Sequence, residues 1–272
     1  MTTINRPIQH RAEGRGTRRL SRALITDRLT FELAKQLSLV LAAVLLYFGV
    51  RGATQGDTAT AVRNGRKVLE FEKSVALDIE RWAQGMILDH HWLVTLANWI
   101  YIWGHWPVIA ASLIWLHQTR RVDYLQLRNA MFISGAIGLI IFTRFAVAPP
   151  RLLNVGLQDT VTEFSNSYRI LQPPSLVNKY AAVPSLHVGW NLLIGMALYR
   201  ASRSAVVKTL GILSPILMTI TVVVTANHYV IDAVLGAAVA LIGWFAAFWL
   251  TPRLVALESR LGQIPGKLPR NQ

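Results

Sequence analysis

The segment Tyr229–Leu250 reads YVIDAVLGAAVALIGWFAAFWL, and Asp232 is the one charged residue in it. A helix needs about 20 mostly apolar residues to cross a bilayer, so this stretch is long and apolar enough to span one. Five further segments qualify, some with polar ends: Leu33–Val50, Trp99–His117, Ala130–Ala148, Ser185–Arg200 and Leu210–Ala226. The pattern predicts an all-α integral membrane protein built as a bundle of six transmembrane helices.

The composition supports this fold class. Hydrophobic residues make up 53% of the 272 residues and charged residues only 15%, whereas soluble proteins carry about 25% charged residues. The formal net charge is +14, but the basic residues concentrate in the tails and between apolar runs, which is typical of cytoplasmic loops and does not indicate a nucleic-acid partner. The absence of cysteine excludes disulfides and thiolate chemistry.

Basic residues also predict the orientation. They precede the first span, separate the second from the third and the fourth from the fifth, and follow the sixth. With six spans, all these clusters face one side, which the positive-inside rule assigns to the cytoplasm. We therefore predict a multi-pass protein of the plasma membrane with both termini cytoplasmic. The expected organisation is a basic tail over 1–32, a six-span catalytic domain over 33–252 and a second basic tail over 253–272.

The outer side then holds the stretch from Arg51 to about Asn98, and within it Val62–Ile87 mixes apolar residues with charges. This mixture predicts one or two helices that cap the bundle at the extracytoplasmic membrane surface. A solvated loop with helical turns fits the same pattern.

Polar residues collect at the outer ends of the predicted spans. His228 and Asp232 are spaced i, i+4 and share a helix face. An aspartate that accepts from one ring nitrogen leaves the other nitrogen able to attack. His187 follows Pro184 and the natural N-cap Ser185, where the free N–H groups of a helix N-terminus suit a phosphate. Structural capping would explain either motif taken alone.

Arg144 and Arg151 flank two prolines that break the helix, so their guanidinium groups can converge on phosphate oxygens. Contact with lipid headgroups is the alternative. In chain order, Arg144-x6-Arg151, Pro184-Ser-x-His187 and His228-x3-Asp232 together resemble the three motifs of the type 2 phosphatidic acid phosphatase superfamily. The resemblance implies that His228 is the phosphate-accepting nucleophile, Asp232 orients it, His187 is the general acid, and Arg144 and Arg151 hold the phosphoryl oxygens.

This sequence departs from the superfamily motifs at several positions. Arg144 replaces lysine, Leu152 a proline and Leu186 a glycine, while Thr221-Val222 stands where the third motif has Ser-Arg. Pro-Ser-Leu-His and Asn-His-Tyr-x2-Asp resemble instead the inositol phosphorylceramide synthase-like subgroup, whose members transfer a phosphoinositol headgroup between lipids. Lys179 is our candidate to replace the missing arginine.

The segment around Asn98, Tyr101 and His105 also resembles that subgroup. These residues fall at i, i+3 and i+7, so they form one helical stripe that would bind headgroup hydroxyls, with helix–helix hydrogen bonding as the alternative.

Other reaction types fit less well. A two-metal site would want more carboxylates, and Ser185 and His187 point apart at i, i+2, which disfavours a serine triad; we expect no metal and no cofactor. Hydrolysis of a phospholipid or polyprenyl diphosphate, with water as acceptor, is the nearest rival to headgroup transfer. A headgroup-binding lipid transporter is the alternative from another class, although no inverted repeat is evident.

Overall fold

A computed structural model describes residues 32–50, 56–164 and 178–262 of the chain. The sequence predictions for the two basic tails lie almost entirely outside these residues. The contacts of the chain divide it into two units at Tyr47–Phe48, and the first helix, α1 (Glu32–Val50), is an apolar candidate membrane span in its own right.

The remaining helices follow in chain order: α2 (Thr58–Ser74), α3 (Glu80–Leu88), α4 (His91–Trp103), α5 (Trp106–Thr119), α6 (Arg121–Arg144), α7 (Thr160–Phe164), α8 (Leu186–Ala201), α9 (Ala205–Val224) and α10 (Val230–Gly262). A 3-10 turn covers Pro150–Leu152. The all-α prediction is therefore confirmed for the described residues.

Four helices are long and apolar enough to cross a membrane, namely α1, α6, α9 and the Val230–Ala256 part of α10. The pair α4 and α5 passes the same test together, with a bend of 44° between its halves, which gives five candidate spans. These helices make the chain an integral membrane protein.

Two of the predicted spans differ in the structure. The single helix expected over Trp99–His117 is broken: α4 ends at Gly104, and Pro107 stands in the first turn of α5. Proline has no main-chain N–H to donate, so it is tolerated at the start of a helix but not in its interior. The helix expected over Ser185–Arg200 has 16 residues, or about 24 Å at 1.5 Å per residue, which is short of a 30 Å hydrocarbon core.

Helix α8 lies at the centre of the second unit and packs against α5, α6, α9 and α10. Most of its side chains are buried, including Trp190, Leu193 and Ile194. The helix can be short because neighbouring helices, rather than lipid, cover it. Its N-terminal end carries His187.

The outer segment forms helices, as the sequence predicted, in α2 and α3. Asp57 begins α2, where its carboxylate accepts from the main-chain N–H of Thr60 at 2.8 Å. Tyr229, which is fully buried, donates its hydroxyl to the carbonyl oxygens of Gly65 in α2 and of Ala148. These contacts attach α2 to the turn that leads into α10.

Candidate active site

His228 and Asp232 form the pair that the i, i+4 spacing predicted, at the start of α10. Nδ1 of His228 lies 3.3 Å from Oδ2 of Asp232 and 2.8 Å from the carbonyl oxygen of Ala182. A carbonyl oxygen only accepts hydrogen bonds, so Nδ1 carries the proton of a neutral ring and Nε2 keeps its lone pair. The imidazole therefore has the tautomer of a nucleophile.

The first turns of α8 and α10 cross at close range. The main-chain N–H of Ser185 donates to the carbonyl oxygen of Asp232 at 3.0 Å. A side chain at Gly236 would collide with the Ser185 carbonyl, so only glycine allows this approach. The crossing brings His187, two residues after Ser185, to within 5.8 Å of His228, measured between ring centroids.

His187 lies in a group of rings that includes two of the predicted headgroup residues. The Tyr101 ring stacks on it with centroids 4.6 Å apart, and the His105 ring lies 4.3 Å away. His105 also stacks on Trp190 at 5.8 Å. Tyr101 and His105 thus contact the general-acid candidate from the α4–α5 break, and the bend between these helices places them there.

Two polar residues behind His187 were not among the sequence predictions. Asn191 donates from Nδ2 to the main-chain oxygen of His187 at 2.9 Å and lies 3.3 Å from Nδ1 of His105. Its Oδ1 accepts from the Ser214 hydroxyl at 2.6 Å. The signal that could have indicated this role is an asparagine four residues after His187 within an apolar span.

Arg151 is tied to the loop that leads to His228. Its main-chain N–H donates to the carbonyl oxygen of Ala226 at 3.1 Å, two residues before His228. Its side chain, largely buried, forms an ion pair at 3.1 Å with Asp159. Asp159 therefore fixes the orientation of the Arg151 guanidinium group, and with it the orientation of the remaining N–H donors.

Arg144 and Lys179 are both exposed, and among the described residues no hydrogen bond or ion pair attaches either of them to the two imidazoles. Their backbones are nevertheless brought together. Val147 and Ala181 form a parallel bridge, and the N–H of Val147 donates to the Tyr180 oxygen at 2.7 Å. This bridge lies next to Ala182, whose carbonyl oxygen contacts His228, so both cations are a few residues from the site.

Asn98 and Ser185 have other arrangements. Asn98 is buried, and its amide exchanges two hydrogen bonds with Thr160, at 2.8 and 3.2 Å. Ser185 occupies the predicted N-cap position of α8, but its hydroxyl makes no capping bond. The Ser185 Oγ is buried beside the His228–Asp232 turn and has no hydrogen-bond partner within the described residues.

Two buried glutamates reach the same turn from α2 and α3. Oε1 of Glu72 accepts from the N–H of Ile231 at 2.8 Å, and Oε1 of Glu80 accepts from the N–H of Val230 at 3.0 Å. Burial raises the pKa of Glu72 to about 8, and the negative charges of Glu80 and Asp232 raise it further in the same direction. No local spacing in the sequence indicates these contacts, because more than 140 residues separate the partners.

The part of the chain that the structure describes holds no group of three or more His, Asp or Glu side chains arranged to bind a metal ion. Two ion pairs lie at the site, His228 with Asp232 and Arg151 with Asp159.

Comparison with known proteins places the chain in a family. A family model described as the PAP2 superfamily matches residues 66–246. A phosphoinositol dihydroceramide synthase of Bacteroides thetaiotaomicron is 25% identical over 174 residues, which cover 57% of this chain and 56% of the relative. The match thus spans little more than half the length of that relative. No solved structure matches the chain.

Proposed function

The chain belongs to the PAP2 superfamily and is an enzyme that acts on lipid phosphates; from this premise we propose that it transfers a phosphoinositol-type headgroup through a covalent intermediate on His228. The observation that carries the proposal is the position of His228 Nδ1 between the Ala182 carbonyl and the Asp232 carboxylate. Two acceptors on one nitrogen hold the proton there and leave Nε2 to attack phosphorus.

In the first step, Nε2 of His228 forms a bond to phosphorus and the ester bond to the lipid oxygen breaks. Protonated His187 gives its proton to that leaving oxygen. The ring centroids lie 5.8 Å apart, so both imidazoles can reach one phosphoryl group. The headgroup phosphate is then held on His228 as a phosphoramidate.

In the second step, neutral His187 takes a proton from an acceptor alcohol as its oxygen attacks phosphorus, and the bond to Nε2 breaks. Water in place of the alcohol gives hydrolysis of a lipid phosphate or polyprenyl diphosphate. The similarity to a protein named as a phosphoinositol dihydroceramide synthase favours the alcohol.

Charge stabilisation falls to Arg151, Arg144 and Lys179. Arg151 is oriented by Asp159 and by its main-chain bond to Ala226. Arg144 and Lys179 flank the bridge between Val147 and Ala181, and Lys179 supplies the charge that Val222 lacks at the third motif. Tyr101 and His105, which contact the His187 ring, line the approach to the headgroup, whereas the Asn98 amide is occupied by Thr160.

The topology that fits this reaction has six crossings, with the α4–α5 pair and the short α8 each counted as one. Basic residues between the spans support cytoplasmic termini, a site on the outer face of the plasma membrane, and α2 and α3 as its extracytoplasmic cap. In this proposal residues 33–252 form the catalytic domain between two basic tails.

The test is a substrate panel with the purified protein in lipid nanodiscs. Phosphatidylinositol plus lipid alcohols would be supplied in one series and a polyprenyl diphosphate in another, with products identified by mass spectrometry. His228→Ala removes the nucleophile, and His90→Ala, which removes an exposed histidine at the start of α4, is the matched control.

Headgroup transfer that is lost in His228→Ala and kept in His90→Ala supports the proposal. Inorganic phosphate release with the same dependence would instead make the protein a lipid phosphatase. Translocation of a fluorescent lipid that survives in His228→Ala, with no chemical product, would favour a transporter and contradict the proposal.

A further inference from the structure

Three carboxylates satisfy three consecutive N–H groups at the start of α10. The N–H of Tyr229 donates to Asp232 at 3.0 Å, that of Val230 to Glu80 at 3.0 Å, and that of Ile231 to Glu72 at 2.8 Å. The first N–H groups of a helix have no partner within the helix. Asp232 belongs to the reacting pair itself, whereas both glutamates come from the outer helices.

Neither glutamate has solvent around it. Glu72 is 0% exposed and Glu80 2%. Burial of a carboxyl group is unfavourable unless hydrogen bonds or charge compensate for it, and the positive end of a helix dipole supplies part of that compensation. The burial of two acids at one helix terminus therefore indicates that the geometry they maintain has a function.

The outer helices hold this turn at further points. Gln84 of α3 donates from Nε2 to the Val224 carbonyl oxygen at 3.3 Å, just before the turn. Tyr229 reaches back to α2 through its hydroxyl bond to Gly65. The chain from Val224 to Ile231 is therefore fastened to α2 and α3 on both sides of His228.

We propose that Glu72 and Glu80 are positioning residues, which fix the first turn of α10 and thereby hold the His228–Asp232 pair in line with the phosphoryl group. The inference rests on the proposed function for the reaction that it affects. It assigns the outer helices a part in the chemistry, beyond covering the bundle.

The experiment compares Glu72→Ala with Glu72→Gln, and Glu80→Ala with Glu80→Gln. Glutamine keeps an oxygen that accepts from the main chain, whereas alanine removes it. Asn64→Ala is the matched control, because Asn64 of α2 donates to the Ala146 carbonyl oxygen at 2.9 Å and does not contact the turn. The full chain in nanodiscs is used throughout.

Two quantities are measured. Hydrogen–deuterium exchange of the peptide around Tyr229–Ile231 reports whether the turn opens, and kcat and KM for headgroup transfer report its effect on the reaction. We expect each alanine variant to exchange faster at this peptide. We also expect its kcat to fall about tenfold with KM unchanged, because the free energy of one helix cap corresponds to about a tenfold change in rate. The glutamine variants and Asn64→Ala should resemble the wild type in both quantities.

Unchanged exchange in both alanine variants would overturn the inference, as would faster exchange with an unchanged kcat. Should one alanine variant fail to fold, the other and its glutamine partner decide the question, since each glutamate caps a different N–H. A wild-type protein without turnover on any lipid would count against the proposed function alone, and exchange would still decide whether the glutamates hold the turn.

Discussion

The Nδ1 atom of His228 lies closer to the carbonyl oxygen of Ala182, at 2.8 Å, than to the Asp232 carboxylate, at 3.3 Å. The carbonyl belongs to the segment just before α8, which continues through Ser185 to His187 in the first turn of that helix. One main-chain atom thus orients His228 from the side on which His187 lies. Asp232 shares this task and also holds the N–H of Tyr229.

This sharing predicts unequal effects of two substitutions. Asp232→Asn should lower kcat by about 10²-fold, at the lower end of what a proton-handling group contributes, because the Ala182 carbonyl still holds the Nδ1 proton. His228→Asn should abolish turnover. Steady-state kinetics of headgroup transfer would compare them, and equal losses in the two variants would contradict the shared orientation.

Asn191 should influence the reaction although it does not touch substrate. Asn191→Leu removes the hydrogen bonds to the His187 carbonyl, His105 and Ser214 while keeping the branched shape of the side chain. We expect kcat to fall about tenfold, the rate equivalent of a typical buried hydrogen bond, and the pH profile of kcat to shift on the limb set by His187.

Ser214→Ala is the milder partner of that test, because Asn191 keeps its two other contacts. A loss of no more than about threefold is expected, the effect of a weak hydrogen bond. An Asn191→Leu variant with wild-type kcat and pH profile would remove Asn191 from the account.

The crossing of α8 and α10 should not tolerate a side chain at Gly236. Gly236→Ala places a methyl group against the Ser185 carbonyl, and we expect a loss of about 1–3 kcal/mol in stability from this overpacking together with reduced activity. Gly85→Ala in α3 is the control, since nothing lies within 4 Å of its added carbon. Thermal unfolding in detergent would compare the two variants, and equal Tm values would show that the helix crossing accommodates the added methyl group.

Stability should depend on pH through Glu72. Its pKa is raised from 4.5 to about 8, so the folded state favours the protonated form. The stability that protonated Glu72 contributes is fully present below its ordinary pKa of 4.5 and is lost as the pH rises through about 8. The groups that face it are Glu80 of α3, Asp232 of α10 and Tyr229.

The wild-type Tm should therefore fall between about pH 5 and pH 8, and Glu72→Gln, which cannot ionise, should flatten that decline. Parallel Tm profiles for the two proteins would mean that Glu72 does not titrate in this range.

Local patterns in the sequence predicted the elements that depend on local chemistry. The His228–Asp232 pair follows from i, i+4 spacing, and a break at Pro149 from proline geometry, although α6 ends at Arg144, four residues before the predicted Ala148. The break between α4 and α5 was also encoded locally, in Gly104 and Pro107, but the apolar run around it outweighed that signal in the prediction of one continuous span.

Contacts over long distances in the chain were beyond such reasoning. Ala182 acts through its main chain, so its side chain carries no sign of the role. Glu72 and Glu80 lie in a segment of mixed charges, and their partners Ile231 and Val230 are apolar residues recognised only by their N–H groups. Tertiary packing alone brings such atoms together.

The most direct test of the account is to trap the covalent intermediate. The purified protein would be mixed with phosphatidylinositol for short times without acceptor, quenched under alkaline conditions that preserve phosphoramidates, and digested for mass spectrometry. His187→Gln, which should slow both formation and breakdown of the adduct, would be run alongside. The account predicts a phosphoinositol adduct on Nε2 of His228 that disappears when acceptor alcohol is added. Turnover of the lipid with no adduct on His228, or with an adduct on another residue, would contradict it.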